Sequence, residues 1–199
     1  MNKFSNTADE ILACARTLIA AGGYNGFSYA DIAAVVGIRK ASIHHHYPSK
    51  VDLVKALVVN HRISTQQGLT NLEHAFSDPL EQLRAYVRYW EKCITDLSAP
   101  FCICALLAGQ LPVLPEEVAL EVHSYFAFLS RWMQATLAHG SQQGTMTLND
   151  TPEVEAELFI ATVHGAMLSA RAYGNNQIFG AITAAQLRRF TPLPSSRRD

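Results

Sequence analysis

A cluster of hydrogen-bond donors without any carboxylate lies in the first quarter of the chain. Arg39 and Lys40 are followed by three consecutive histidines at positions 44–46, and no aspartate or glutamate occurs between Asp31 and Asp52. Cations and neutral donors grouped in this way can pair with the phosphates of a polyanion and displace its counterions. The residue types therefore indicate a surface that binds nucleic acid.

Two short helices around one glycine are predicted to position these donors. Ser28 and Asp31 have capping-box spacing at the start of the first helix, and Ile32 begins its apolar face. Gly37 ends that helix, and the second begins near Arg39. This order is the sequence form of a helix-turn-helix. An ordinary helical hairpin with solvated basic residues stays an alternative, because the pattern alone is a weak signal.

Motifs on both sides of the hairpin sharpen this interpretation. Residues 21–28 read AGGYNGFS, residues 32–38 read IAAVVGI, and residues 42–53 read SIHHHYPSKVDL. In this register they resemble the TetR/AcrR family of one-component bacterial repressors. The resemblance implies an all-α fold, with a three-helix helix-turn-helix DNA-binding head at residues 1–50. A helical body for effector binding and dimerisation would follow at residues 51–199.

The resemblance also implies a function and a set of partners. The chain is expected to be a sequence-specific DNA-binding transcriptional regulator, acting as a homodimeric repressor on a palindromic operator of double-stranded DNA. A small, mostly apolar or aromatic effector molecule would release it from the operator. No enzymatic activity, catalytic residue or cofactor is predicted. A metal site at the three histidines is not predicted either, because consecutive side chains on a helix point about 100° apart and do not converge on one ion.

The resemblance implies DNA contacts at the positions of this sequence that match the family motif. The first turn of the second hairpin helix reads base edges in the major groove of such proteins. Its residues here are Arg39, Lys40, Ala41 and Ser42. The positions at which family members contact phosphates hold Ser28, Tyr29, His44, His45, Tyr47 and Lys50. The family usually has tyrosine where His44 stands and phenylalanine where Tyr47 stands.

Charge and composition agree with a DNA-binding head on a globular body. The net charge is −1, but residues 1–62 hold seven Lys/Arg against four Asp/Glu, whereas the remainder holds nine against thirteen. The chain is 49% hydrophobic, which is enough to bury a core. It has neither an apolar run of about 18 residues nor a signal-like N-terminus, so we expect a cytoplasmic protein that does not bind membranes. The four cysteines are then expected to be reduced.

The last two predicted helices carry small side chains on one stripe. These residues are Leu158, Thr162, Gly165, Ser169 and Ala172, with Ile182 on the final helix. Small side chains let another helix approach closely. In the resembled family the final two helices of each subunit form a four-helix dimer interface. A contact within one chain stays the alternative.

Candidate effector contacts come from helices that surround the ligand cavity in the family. They are Trp90, Cys93, Cys102, His123, Phe126, Trp132, His164 and Met167. A cavity lined by aromatic side chains and few polar groups would suit a small apolar or aromatic molecule. Apolar stripes are more often packing than site, so many of these residues can equally be core.

Cys102 supports two alternative functions. It resembles a cysteine that a subset of the family carries in a Gly-Cys-Leu element, although Phe101 replaces the glycine and Cys104 adds a second thiol. The chain could therefore be a repressor that senses electrophiles or oxidants through Cys102, unless this thiol is buried and inert. A more remote alternative is an all-helical enzyme with Cys102 as nucleophile and His123 as base.

Overall fold

All regular secondary structure in the described part of the chain is helical. The structure, a computed structural model, describes residues 7–96 and 101–191, and no strand occurs within them. The all-α prediction is therefore confirmed. Two short 3-10 turns, Tyr24–Gly26 and Leu111–Val113, accompany the α-helices. The helices are α1 (Thr7–Gly22), α2 (Tyr29–Val36), α3 (Lys40–His46), α4 (Lys50–Ala75), α5 (Pro79–Thr95), α6 (Ile103–Ala108), α7 (Glu116–Gln142), α8 (Pro152–Tyr173) and α9 (Gln177–Phe190).

Local caps explain where several of these helices begin. The Asp78 carboxylate accepts a hydrogen bond from the Leu80 amide at 2.9 Å, and Pro79 occupies the first helical position of α5. The Thr151 hydroxyl accepts from the Val154 amide at 3.4 Å, again before a proline. Side-chain caps and proline at the first position satisfy or remove amide groups that have no partner inside the helix.

The chain divides into two compact units. Unit 1 contains residues up to Thr65 together with Cys102–Phe126. Its centre is apolar: Ile11, Ile32 and Ile43, from α1, α2 and α3, are all fully buried. Helix α1 contacts α2, α3 and α6. The three N-terminal helices therefore share one core with α6.

Unit 2 contains Gln66–Phe101 and the residues from Ala127 onward. Helices α8 and α9 make its most extensive contact, and the rings of Phe159 and Phe190 lie 6.0 Å apart between them. The Asn176 side chain donates to the Ile94 carbonyl at 3.3 Å and connects the start of α9 to the end of α5. Unit 2 thus packs α5, α8 and α9 around buried aromatic rings.

The division into functional domains at residue 50 stays a prediction. The two ends of the predicted domains, residues 1–6 and 192–199, lie outside the described residues. Structurally, unit 1 extends past residue 50 and includes α6 and the first part of α7. No helix in the described segments is long and apolar enough to cross a membrane.

Candidate nucleic-acid interface

The capping box expected at the start of α2 is formed. Ser28 donates to the Asp31 carboxylate through its amide and its hydroxyl, both at 2.7 Å, and the hydroxyl accepts from the Ala30 amide at 3.2 Å. The hydrogen bonds from Ser28 lower the pKa of Asp31, because they favour the ionised carboxylate. The hydroxyl of Ser28 is exposed but already engaged.

Gly37 forms the turn between α2 and α3. Its φ of 76° is left-handed, and its amide donates to the Ala33 carbonyl at 3.0 Å. A residue with a Cβ would be strained in this conformation, so glycine ends α2 without cost. The chain then extends through Arg39 and enters α3 at Lys40.

Helix α3 is oriented by one buried residue, Ile43, which is fully enclosed. The side chains on the other faces point outward: Arg39, Lys40 and Ala41 are exposed, and Ser42 is half-buried. The structure therefore brings the four predicted base-reading residues together at the first turn of α3. Arg39, Ala41 and Ser42 border an open cleft. Its lining also includes a residue that the sequence did not suggest, Thr7 of α1.

Lys50 has its partners inside the head. Its ammonium donates to the Phe27 carbonyl and lies 4.1 Å from the centre of the Phe27 ring and 5.0 Å from that of Tyr24. Burial lowers the pKa of Lys50. A charge held by a carbonyl and two aromatic faces stabilises the turn before α2. The predicted phosphate contact of Lys50 would have to be made alongside these bonds.

The two tyrosines predicted at the phosphates also bond internally. Tyr29 is buried and donates its hydroxyl to the Tyr47 carbonyl at 2.8 Å, and burial raises the pKa of Tyr29 to about 12. The half-buried Tyr47 points its hydroxyl at the Ala8 carbonyl, 3.5 Å away. Both rings connect α2 and α3 to neighbouring backbone. Their predicted DNA contacts stay predictions.

His44 is exposed, and its hydrogen bonding restricts what it can offer a phosphate. Its Nδ1 lies 3.0 Å from the Pro48 carbonyl, which only accepts, so Nδ1 carries a proton. In the neutral ring Nε2 is then an acceptor. His44 can therefore donate to a phosphate only as the imidazolium.

The next two histidines are exposed, with the rings of His45 and His46 5.5 Å apart and edge to face. No group of histidine, cysteine or acidic side chains able to hold a metal ion occurs in the described part of the chain.

Five of the predicted effector contacts belong to unit 2. Trp90, Cys93, Trp132 and Met167 are buried, and His164 is half-buried. The Trp132 indole donates to the Glu73 carboxylate at 2.8 Å. The Trp90 indole nitrogen is buried without a hydrogen-bond partner in the described residues. An unpartnered buried donor is costly, so Trp90 is the residue of this set that most calls for an explanation.

The other three predicted contacts belong to unit 1 and differ in exposure. Cys102 is fully buried, Phe126 is half-buried and His123 is exposed. The imidazole beside the Cys102 sulfur is that of His61, with Nε2 at 3.8 Å, and the thiol donates to the Tyr125 hydroxyl at 3.5 Å. The Cys102 and His123 pair of the enzyme alternative is therefore not assembled.

His61 was not anticipated from the sequence, although its position gave a signal. It follows Leu57 by four residues and Val58 by three, so it lies on the apolar face of α4. A polar side chain at such a position needs a buried partner.

The four cysteines are all buried and form no disulfide with one another, and burial raises the pKa of Cys104 far above its usual range.

The exposed stripe on α8 is broader and more apolar than the predicted one. Leu158, Gly165 and Ala172 are exposed as expected, whereas Thr162 and Ser169 are half-buried at its edge, as is Ile182 on α9. The full exposed stripe is Val154, Leu158, Ala161, Gly165, Leu168 and Ala172. Its residues recur every three or four positions, so they form one continuous face.

Comparisons with known proteins agree on one kind of protein. The sequence model of the bacterial regulatory proteins, tetR family, matches residues 11–57. A TetR-family transcriptional regulator from Agrobacterium tumefaciens is 60% identical, and the match covers 93% of this chain and 97% of that one with a TM-score of 0.91. A TetR transcriptional regulator from Legionella pneumophila is 26% identical over 96% of this chain and all of its own, with a TM-score of 0.86. The HTH-type transcriptional repressor DhaR of Mycobacterium sp. (strain GP1) is 24% identical over 78% of this chain and 77% of its own length.

Replacing Tyr29 by phenylalanine should lower the free energy of unfolding by about 1 kcal/mol at pH 7, because the hydrogen bond to the Tyr47 carbonyl is lost. Folding raises the pKa of Tyr29 from 10 to about 12, so the unfolded chain loses this proton first as the pH rises. The stabilisation by the hydroxyl is therefore present below pH 10 and is lost between pH 10 and 12. Urea unfolding should show the gap between wild type and variant shrinking over that range. A gap independent of pH would contradict the internal role of this hydroxyl.

Proposed function

Since this chain belongs to the TetR family of transcriptional regulators, we propose that it is a homodimeric repressor of a palindromic operator, released by a small, mostly apolar or aromatic effector. The observation that carries the proposal is the exposed first turn of α3, with Arg39, Lys40 and Ala41 outward and Ile43 buried behind them. A recognition helix needs this arrangement, because base edges can be reached only by side chains that the fold does not use.

We assign base reading to the first turn of α3. Arg39 and Lys40 can donate to O6 and N7 of guanine, and the methyl group of Ala41 can contact that of thymine. Ser42 can bond either kind of base. The supporting argument is that these side chains project from one turn and that three of them, all except Lys40, border a cleft. No carboxylate occurs between Asp31 and Asp52 to repel the DNA.

We assign phosphate contacts to the residues around this turn. The exposed His45 and the imidazolium form of His44 can donate through their rings, and the exposed Ser28 lies at the start of α2. Tyr29, Tyr47 and Lys50 donate hydrogen bonds to backbone carbonyls of the head and so stabilise the segments that carry these contacts. Phosphate contacts orient the head on the duplex without reading its sequence.

The α8 stripe supports the homodimer. Leu158 is 42% exposed and Leu168 59% exposed, so a continuous apolar face meets solvent in the single chain. A Cβ built on Gly165 would meet nothing within 4 Å, so packing within the chain does not require glycine at this position. The missing side chain would let a helix from a second copy approach closely at this position. Two-fold pairing through α8 and α9 would present two copies of α3 to a palindrome.

We place effector recognition among the buried side chains of unit 2. Trp90 offers an indole donor that lacks a partner among the described residues, and Cys93, Trp132 and Met167 are buried side chains of the same unit. A mostly apolar molecule with one acceptor for Trp90 would match this chemistry. His164 and the unit 1 residues Cys102, His123 and Phe126 stay predicted contacts. The effector must favour a conformation with low operator affinity in order to release the DNA.

A second candidate is a repressor that senses electrophiles through Cys102. The observation that favours it is the contact of the Cys102 sulfur with His61 at 3.8 Å and with Tyr125 at 3.5 Å. Alkylation of this fully buried sulfur would remove the proton that the thiol donates to Tyr125 and add atoms inside the core. Both changes would disturb the packing around α6.

The α3 assignment is tested with operator DNA selected from genomic fragments and a salt series of binding measurements. Replacing Lys40 by alanine should lower the salt slope by about one ion, and replacing Arg39 should relax base preference at one position at a cost of about 1–3 kcal/mol. Replacing Lys50 by methionine should instead lower the free energy of unfolding by about 1–3 kcal/mol, because its bonds are internal.

The matched control for that series is Lys92→Ala, which removes an exposed lysine from α5. It should leave both the salt slope and the affinity unchanged. An equal effect of Lys40→Ala and Lys92→Ala would show that α3 does not read the DNA, and a wild-type protein with no specific site would refute the proposed function.

The dimer is tested by Leu168→Glu, with Leu120→Glu as the matched control. These two leucines are 59% and 57% exposed, on α8 and α7. The α8 change should raise the dimer dissociation constant about 100-fold or more, since it would bury two carboxylates in an apolar interface. Light scattering after size-exclusion chromatography should find monomers for this variant and dimers for the control. Dimers in both variants would exclude the α8 stripe as the interface.

The thiol candidate is tested with N-ethylmaleimide and preformed operator complexes. The Cys102 sulfur would add to the maleimide double bond, and the thiol proton would end on the adjacent carbon. We expect release of the wild type and of the Cys93→Ser control, but not of Cys102→Ser, whose hydroxyl can still accept from His61. Mass spectrometry checks which cysteine is labelled. Unchanged operator binding after complete labelling of Cys102 would reject this candidate in favour of reversible effector binding.

A further inference from the structure

The segment around α6, residues 102–114, is attached to α1 and the turn after it at two separate points within unit 1. The first is made by Gln110, two residues after the end of α6. Its side-chain carbonyl accepts a hydrogen bond from the Tyr24 amide at 2.8 Å. The two residues are 86 positions apart in sequence, so only tertiary packing produces this contact.

Gly23 shows how close the approach of Gln110 is. A Cβ built on Gly23 would lie 2.1 Å from the side-chain nitrogen of Gln110, so the amide of Gln110 would have to move away from its present place. The φ of Gly23 is also +73°, a conformation that other residues rarely adopt. The backbone conformation therefore favours glycine, and any larger residue would also displace the Gln110 side chain. The glycine at position 23 thus belongs both to a turn and to a contact with the segment that follows α6.

The second attachment is a hydrogen-bond chain through His61 of α4. Arg16 of α1 has Nη1 3.4 Å from His61 Nδ1, and arginine only donates, so Nδ1 must be the acceptor. His61 is then neutral with its proton on Nε2, which lies 3.8 Å from the Cys102 sulfur. The ring also stacks on Tyr125, with centroids 5.2 Å apart. Helix α1 is thereby connected to the N-cap of α6.

These two contacts affect the recognition helix because α1 holds it in place. The fully buried Ile11 and Ala15 of α1 belong to the same core as Ile32 of α2 and Ile43 of α3. If the α6 segment moves, it must either carry α1 with it or leave the Tyr24 amide without its partner. A buried amide that loses its partner is costly, so the attached state is favoured.

We propose that the α6 segment stabilises the helix-turn-helix, and that Gln110 and His61 are positioning residues that keep α1, α2 and α3 in the operator-binding arrangement. The expected effect on operator affinity rests on the proposed function. The stabilisation of the helix-turn-helix by the α6 segment can be tested without DNA.

The test compares Gln110→Leu with Gln110→Glu in the full-length protein. Leucine keeps the bulk over Gly23 but removes the acceptor for Tyr24, whereas glutamate keeps an acceptor oxygen in the same place. Without DNA, we expect amide hydrogen exchange in residues 28–46 to be about tenfold faster in the leucine variant and unchanged in the glutamate variant. Exchange in α8, which belongs to unit 2, is the internal control.

The second arm measures operator affinity. The leucine variant should bind about tenfold more weakly, with the same salt slope as the wild type, because no phosphate contact is lost. The glutamate variant should bind within about twofold of the wild type. His61→Phe, which keeps the stacked ring but lacks both nitrogens, should weaken binding in the same direction and provides a second route if Gln110→Leu folds poorly.

The outcomes separate this inference from the proposed function. Unchanged exchange in residues 28–46 in both Gln110→Leu and His61→Phe would overturn the positioning role, whatever the DNA result. Faster exchange across the whole chain would show a general structural role instead and would also overturn it. A wild-type protein without any specific operator would refute the proposed function, while the exchange result would still decide whether α6 holds the head.

Discussion

The helix-turn-helix depends on the apolar surface of α1. Helices α2 and α3 have eight and seven residues, and helices this short are not stable alone in water. Ile32 and Ile43 anchor them, and each fully buried isoleucine contributes about 1.5–3 kcal/mol. Because Ile43 is held inside, the first turn of α3 must face outward. The outward position of Arg39 and Lys40 is thus a consequence of burying an isoleucine.

Polar groups in the head fall into two sets with different tasks. Arg39, Lys40 and His45 are exposed and available to a partner. The side chains of Tyr29 and Lys50 instead donate to backbone carbonyls within the head. Internal bonds of this kind make the reading surface rigid, and a surface that is already ordered loses less entropy on binding. The two sets are adjacent in sequence, and burial separates them.

The two units carry different surfaces. Unit 1 presents a cationic first turn on α3, whereas unit 2 presents the apolar stripe of α8. An operator is a polyanion and a second copy of the chain is an apolar partner, so each surface fits one of the proposed partners. The indole nitrogen of Trp90, which has no hydrogen-bond partner in the described segments, adds a third, buried feature in unit 2. These three features are the basis for the proposed DNA, dimer and effector contacts.

The sequence alone determined the features that depend on local spacing. Ser28 and Asp31 form a capping box because they are three residues apart. Gly37 ends α2 because glycine adopts a left-handed turn without strain, and Asp78 with Pro79 starts α5. Only the tertiary structure decided which donors face outward, that His61 rather than His123 lies against Cys102, and that Gln110 meets Tyr24. It also decided that Ala161 and Leu168 complete the α8 stripe while Thr162 is half-buried. Such contacts join residues far apart in the chain, and local periodicity carries no information about the partner that long-range packing will provide.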